Sequence, residues 1–124
     1  MKSIILFFIL VFQISLGQNK DTIALEHQLT TEKNAKKKLE IINQLVAIAF
    51  DTDMRQALAY AKQGVALSEK SNDKNWQPKF YEMQGRMYAN LLVLDSASKI
   101  YKKAEKCYIA VNNKHGQAKT YFKM

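Results

Sequence analysis

Two histidines, one cysteine and two closely spaced aspartates are the residues of this 124-residue chain to weigh first for chemistry. His27 and His115 stand apart. Neither has a second metal-ligating side chain three or four positions on, as a helical metal motif requires. Cys107 lies in the apolar run "CYIAV" and reads as a small buried hydrophobe rather than a reactive thiol. With one cysteine, no intrachain disulfide can form. Asp51 and Asp53 resemble a carboxylate pair, but they fall between two helical patterns, where aspartate caps a helix. After residue 17 the only glycines are Gly64, Gly85 and Gly116, so no glycine-rich loop can cradle a phosphate. No catalytic residue, metal site or cofactor is therefore expected. Trp76 is left with two readings. As a staple at the start of a helix it closes the turn; as an exposed anchor it holds a partner.

The elements around these residues are helical. One proline in the chain leaves little punctuation for a β-rich fold, and Ala, Leu, Lys, Gln and Glu dominate after residue 20. Leu39, Ile42, Leu45, Val46 and Ala49 recur at three- and four-residue steps and predict a helix over about 35–50. A second helix is expected over 54–71, with Ala57, Leu58, Ala61, Val65 and Leu67 facing inward. Two more follow over 77–92 and 96–111, with Asp95 as the expected cap of the latter. Polar breaks, "SNDKN" and "NNKHG", end each pair, and residues 21–31 form a shorter leading helix.

The front of the chain carries an address. Lys2 precedes an apolar run from Ile4 to Leu16, and Ser15-Leu16-Gly17 places small residues where a signal peptidase cuts. The run falls short of the ~20 residues that span a bilayer. Residues 1–17 are read as a signal peptide cleaved before Gln18; an uncleaved anchor is the other reading. The product is then exported, to the periplasm or cell envelope. Export changes the meaning of the net charge of +8. Nucleic acid is not the expected partner; acidic peptides and anionic envelope surfaces are. A basic helical DNA-binding protein would need a cytoplasmic location, against which the leader argues.

The chain also repeats itself. Residues 38–84 laid over 78–124 give nine identities: Gln44/Gln84, Ala49/Ala89, Ala57/Ala97, Lys62/Lys102, Asn72/Asn112, Lys74/Lys114, Gln77/Gln117, Lys79/Lys119 and Tyr81/Tyr121. Chance would give about three at ~6% identity per position. Each period of 40 residues holds one helix pair, as helical-hairpin repeats do. Gly85 in mid-helix costs about 1 kcal/mol relative to Ala, unless it admits a neighbouring helix closely. Tyr81, Gly85 and Tyr88 share one face; Ala97, Tyr101 and Ala104 share another on the next helix.

The spacing Tyr81-x2-Gln84-Gly85-x2-Tyr88, then Ala97-x3-Tyr101-x2-Ala104, resembles a tetratricopeptide repeat. The family places Trp and Leu where this chain has Tyr81 and Gln84, Phe where it has Tyr101, and often Pro where it has Ile109. The first period is more divergent: Ile41, Gln44, Leu45 and Ile48 replace the signature, while Ala57, Ala61 and Gly64 keep the small residues. The spacing also exceeds the family's usual ~34 residues, the excess lying in "SNDKNW". The resemblance implies an all-α fold of antiparallel helix-hairpin repeats, an α-solenoid with a right-handed superhelix. It divides the chain into a leading or capping segment, 18–34, and a repeat domain, 35–124. The repeats cover about 38–77, 78–117 and a partial 118–124.

In such solenoids the first helix of each pair lines a concave face that holds a protein partner or an extended peptide. By resemblance, Lys79, Glu82, Arg86, Asn90 and Lys119 are the peptide-binding candidates; a solvated helix surface is the other reading. The layout also resembles exported sensor regions of Bacteroidetes signalling proteins, in which a membrane helix and an output module follow. The expected function is a non-catalytic binding module, the sensor or scaffold part of a larger protein. The alternative is the N-terminal sensor region of a membrane histidine kinase or transcriptional regulator. Any membrane contact would come from a downstream segment. One period after Gly85 is position 125, so the third repeat is expected to be truncated. That expectation carries fraying after Val111 and self-association through a poorly covered face near Ile100, Tyr108 and Ile109.

Overall fold

The computed structural model describes residues 20–123. The expected leader at 1–17 lies outside the described residues. The fold is all-α. Helix α1 covers residues 20–31. It is followed by α2 (Ala35–Thr52), α3 (Met54–Lys70), α4 (Trp76–Asn90), α5 (Leu94–Ala110) and α6 (Lys114–Lys123). From α2 onward, consecutive helices pack on one another. None of the described helices is long and apolar enough to cross a membrane.

Local chemistry sets the boundaries. Asn34 caps α2 by accepting the Lys37 amide at 3.0 Å, and Asp53 caps α3 by accepting the amides of Arg55 and Gln56 at 3.1 and 3.3 Å. Asp51 does not cap; it lies exposed in the last turn of α2. Nor does Asp95, which sits inside the first turn of α5, while Val93 precedes the helix without a side-chain cap. A carboxylate there still faces the positive end of the helix dipole.

The 40-residue echo has a structural counterpart in two turns. After α3, Asn72 takes a left-handed conformation (φ 55°), its amide bonds to Glu69 at 3.1 Å, and the Asp73 amide reaches Ser68 at 2.9 Å. After α5, Asn112 does the same (φ 54°), with bonds to Ile109 at 3.0 Å and from Asn113 to Tyr108 at 2.8 Å. Both are Schellman closures, in which asparagine tolerates the positive φ. The next helix starts alike in each case. The Asp73 carboxylate accepts the Trp76 amide, and the Asn113 side chain accepts the Gly116 amide, both at 2.9 Å. The turn after α4 closes similarly on Leu92, with φ 62°.

Leu39, Leu45, Phe80 and Met87 are the largest fully buried apolar side chains. Burying a residue of this size contributes about 1.5–3 kcal/mol. Glycines let the helices approach. A Cβ on Gly64 would enter the ring of Phe80 from α4, and one on Gly116 would enter the ring of Tyr108 from α5. A Cβ on Gly85 would lie 2.9 Å from the ring of Tyr101 from α5. Tyr81, Ala97, Tyr101 and Ala104 are buried, whereas Tyr88 is only half-buried beneath the Lys62 ammonium.

Side-chain size differs between positions one period apart. Gly64 and Phe80 stand one period before Ala104 and Thr120, and Phe80 and Thr120 are both fully buried. Ser68 and Trp76 stand one period before Tyr108 and Gly116: small then large becomes large then small. The burial pattern along 61–70 is the same, position by position, as along 101–110. One expectation is corrected here. Tyr108 is not poorly covered: Gly116 lies against its ring, which is buried. Ile109, the next residue along α5, is exposed.

Candidate peptide-binding groove

Residues of α2, α4 and α6 line one groove. Asn43 comes from α2; Lys79, Glu82, Met83 and Arg86 from α4; and His115, Gly116 and Lys119 from α6. Tyr108 of α5 closes the floor of this hollow of about 440 Å³. A smaller hollow, about 240 Å³, continues between α2 and α4 past Phe50, Met83 and Arg86. Sequence spacing explains the alignment: Lys79, Glu82 and Arg86 are three and four residues apart, hence on one helix face.

Two of the cations lie on aromatic rings. The Arg86 guanidinium is 4.3 Å from the centre of the Phe50 ring, and the Lys79 ammonium is 5.0 Å from that of Trp76. A guanidinium held this way keeps its N–H edge free for a carboxylate. Trp76 is half-buried at the first position of α4, its ring 5.4 Å from Phe80, and it also borders the groove. It is neither the exposed anchor nor a staple in the strict sense: it stands inside the helix rather than ahead of its cap, and is half-buried.

Glu82 behaves differently from its neighbours. It is buried, and both carboxylate oxygens are engaged. The Tyr108 hydroxyl donates to Oε2 at 2.8 Å, while the ammonium groups of Lys119 and Lys123 reach Oε1 at 2.8 and 3.1 Å. Burial alone would push its pKa up. The bonds from Lys119, Tyr108 and Lys123 together outweigh burial and hold it below the ordinary carboxylate value. The same contact raises the Tyr108 hydroxyl, chiefly through burial and then through the Glu82 bond.

The structure thus brings Lys79, Glu82, Arg86 and Lys119 to one groove. Asn90 is not part of it; it sits exposed at the end of α4, its amide 4.0 Å from the Met54 sulfur. Sequence reasoning missed Asn43, Phe50, Tyr108 and His115. Asn43 was within reach, since it stands one period before Met83. Phe50 has no polar group, and the Tyr108 hydroxyl finds its partner Glu82 only once the helices pack. Cys107 is half-buried beside Tyr81 and Tyr108, and burial pushes its thiol pKa up. His27 is exposed on α1, far along the chain from His115. Among the described residues no three His, Cys, Asp or Glu side chains gather as a metal site would need. A comparison with protein-family models, with curated proteins and with solved structures returns no match to this chain.

Proposed function

We propose that this chain is a non-catalytic, peptide-binding repeat module of the tetratricopeptide type. It serves as the sensor or scaffold part of an exported protein, and its ligand is an extended acidic segment laid along the groove between α2, α4 and α6. The observation that carries the reading is the convergence of Lys79, Arg86 and Lys119, from two helices, on one open hollow whose only carboxylate, Glu82, is already engaged. The repeat assignment is supported by the matching turns at Asn72 and Asn112 and by the glycine–ring contacts between successive helices. Export rests on Lys2 and the apolar run that follows it.

The test is binding of a fluorescent hexaglutamate peptide at low salt and at ~1 M salt, where the screening length falls to about 3 Å. Measurable binding at low salt, its loss at high salt, and its loss in Lys79→Glu with Arg86→Glu are expected. Binding unaffected by both changes would show that these cations are only solvated surface.

A further inference from the structure

We propose that Glu82 is a positioning residue: it docks α6 against α4 and sets Lys119 in place for the ligand. The inference rests on the groove reading above but has a readout of its own.

Helix α6 has ten residues, and every Lys, Arg, Asp or Glu on it is a lysine: Lys114, Lys119 and Lys123. It meets a wall of α4 that already carries Lys79 and Arg86. Charge alone would drive the two apart. Glu82 reverses that. Lys119 and Lys123 lie four residues apart, on one face of α6, and both reach the same carboxylate oxygen. Tyr108 takes the other oxygen, so one buried group joins α4, α5 and α6. Helix α6 also packs on α5, with Gly116 beneath the Tyr108 ring, Thr120 fully buried and the Lys123 ammonium 6.0 Å from the centre of the Tyr101 ring.

Glu82 is poorly placed to touch a ligand, because its side chain is 10% exposed and its oxygens are occupied. Lys119 is well placed. Its side chain is 52% exposed, and an ammonium has three donors, of which Glu82 takes one. The carboxylate therefore fixes where the ammonium sits while leaving donors for a peptide carboxylate. Two effects oppose each other in Glu82→Gln. Removing a negative charge makes the groove more attractive to an acidic peptide. Losing the charge-assisted bonds frees Lys119 and loosens α6. Short charge-assisted bonds to a buried carboxylate outweigh a screened longer-range repulsion, so positioning decides the sign.

The experiment uses the full chain and its Glu82→Gln variant. Hydrogen exchange is followed over all helices, and hexaglutamate binding is measured in parallel. Exchange over residues 114–123 should quicken about tenfold, with α2 and α3 unchanged, and peptide affinity should fall about tenfold. Lys119→Ala should weaken binding in the parent chain and add nothing further in Glu82→Gln. Unchanged exchange in α6, uniform quickening in every helix, or tighter peptide binding would each overturn the proposal. Lys119→Met with Lys123→Met removes the partners instead of the carboxylate and should loosen α6 in the same way. If the parent chain does not bind hexaglutamate, the groove reading fails, while α6 exchange still decides whether Glu82 docks the helix.

Discussion

Replacing Gly64 with alanine sets two effects of known size against each other. In a helix interior, alanine is favoured over glycine by about 1 kcal/mol. Gly64 lies within α3, so propensity alone demands stabilisation. The added Cβ, however, would enter the face of the Phe80 ring, near Cγ as well as its edge atoms. Phe80 is fully buried in the core formed with Leu39, Leu45 and Met87, and a ring held on all sides cannot swing away. Overpacking of this kind typically costs ~1–3 kcal/mol. The net expectation is a loss of roughly 0–2 kcal/mol, or a Tm lower by up to about 15 °C for a domain of this size. Gly85→Ala is the internal comparison: there the Cβ would sit 2.9 Å from the Tyr101 ring, so a smaller shift relieves it and the net effect should be near zero. Thermal and urea unfolding followed by circular dichroism measure both. The two variants should be ranked as given, and in a Phe80→Leu background the penalty at Gly64 should largely vanish. A Gly64→Ala chain that melts higher than the parent would refute the close α3–α4 approach.

Two further outcomes follow from strain and from titration. Leu92 sits at φ 62° with 81% of its surface exposed, where the two matching turns use asparagine; Leu92→Asn should therefore stabilise by about 1 kcal/mol, and Asn72→Leu should destabilise by a similar amount, both read as urea midpoints. The hydroxyls of Tyr60 and Tyr81 donate to Glu26 and Glu69, and burial first, then these bonds, push their pKa values from 10.0 up to about 12. A raised pKa favours the neutral hydroxyl in the folded state, so this stability is complete below pH 10.0 and is lost as pH rises towards about 12. Glu82 has the opposite sign: its pKa is depressed, so its contribution is complete above the ordinary carboxylate value and is lost as pH falls through the lowered one. Stability against pH should show both flanks, and Glu82→Gln should flatten the acid one; an acid flank unchanged in that variant would contradict the depressed pKa.

Periodicity by itself determined the helices. The three- and four-residue recurrence of Leu39, Ile42, Leu45, Val46 and Ala49 leaves only one face to bury, and α2 buries it. The turn chemistry was equally local, because a polar side chain two or three residues ahead of an unpaired amide needs no distant partner; Asp53 shows this. Asp95 shows the limit, since the Schellman closure on Leu92 ended α4 early enough for α5 to begin ahead of it. The polar face of α4 was legible for the same reason: a seven-residue step from Lys79 to Arg86 returns to the same side of a helix. What lay beyond the sequence was which side chains across a helix contact share one volume. Packing density constrains facing residues jointly rather than each one alone: Gly64 makes room for the Phe80 ring, and Gly116 makes room for that of Tyr108. Nine of the 47 aligned positions are identical, and the turns at Asn72 and Asn112 close in the same way. The role of Glu82 was hidden for a related reason. On a helical wheel it is one more polar residue of the α4 face, and only the approach of α5 and α6 removes its water and supplies Tyr108, Lys119 and Lys123 in exchange. Local pattern sets which face a residue occupies; the distance to the next helix sets whether that face is solvent, ligand surface or core.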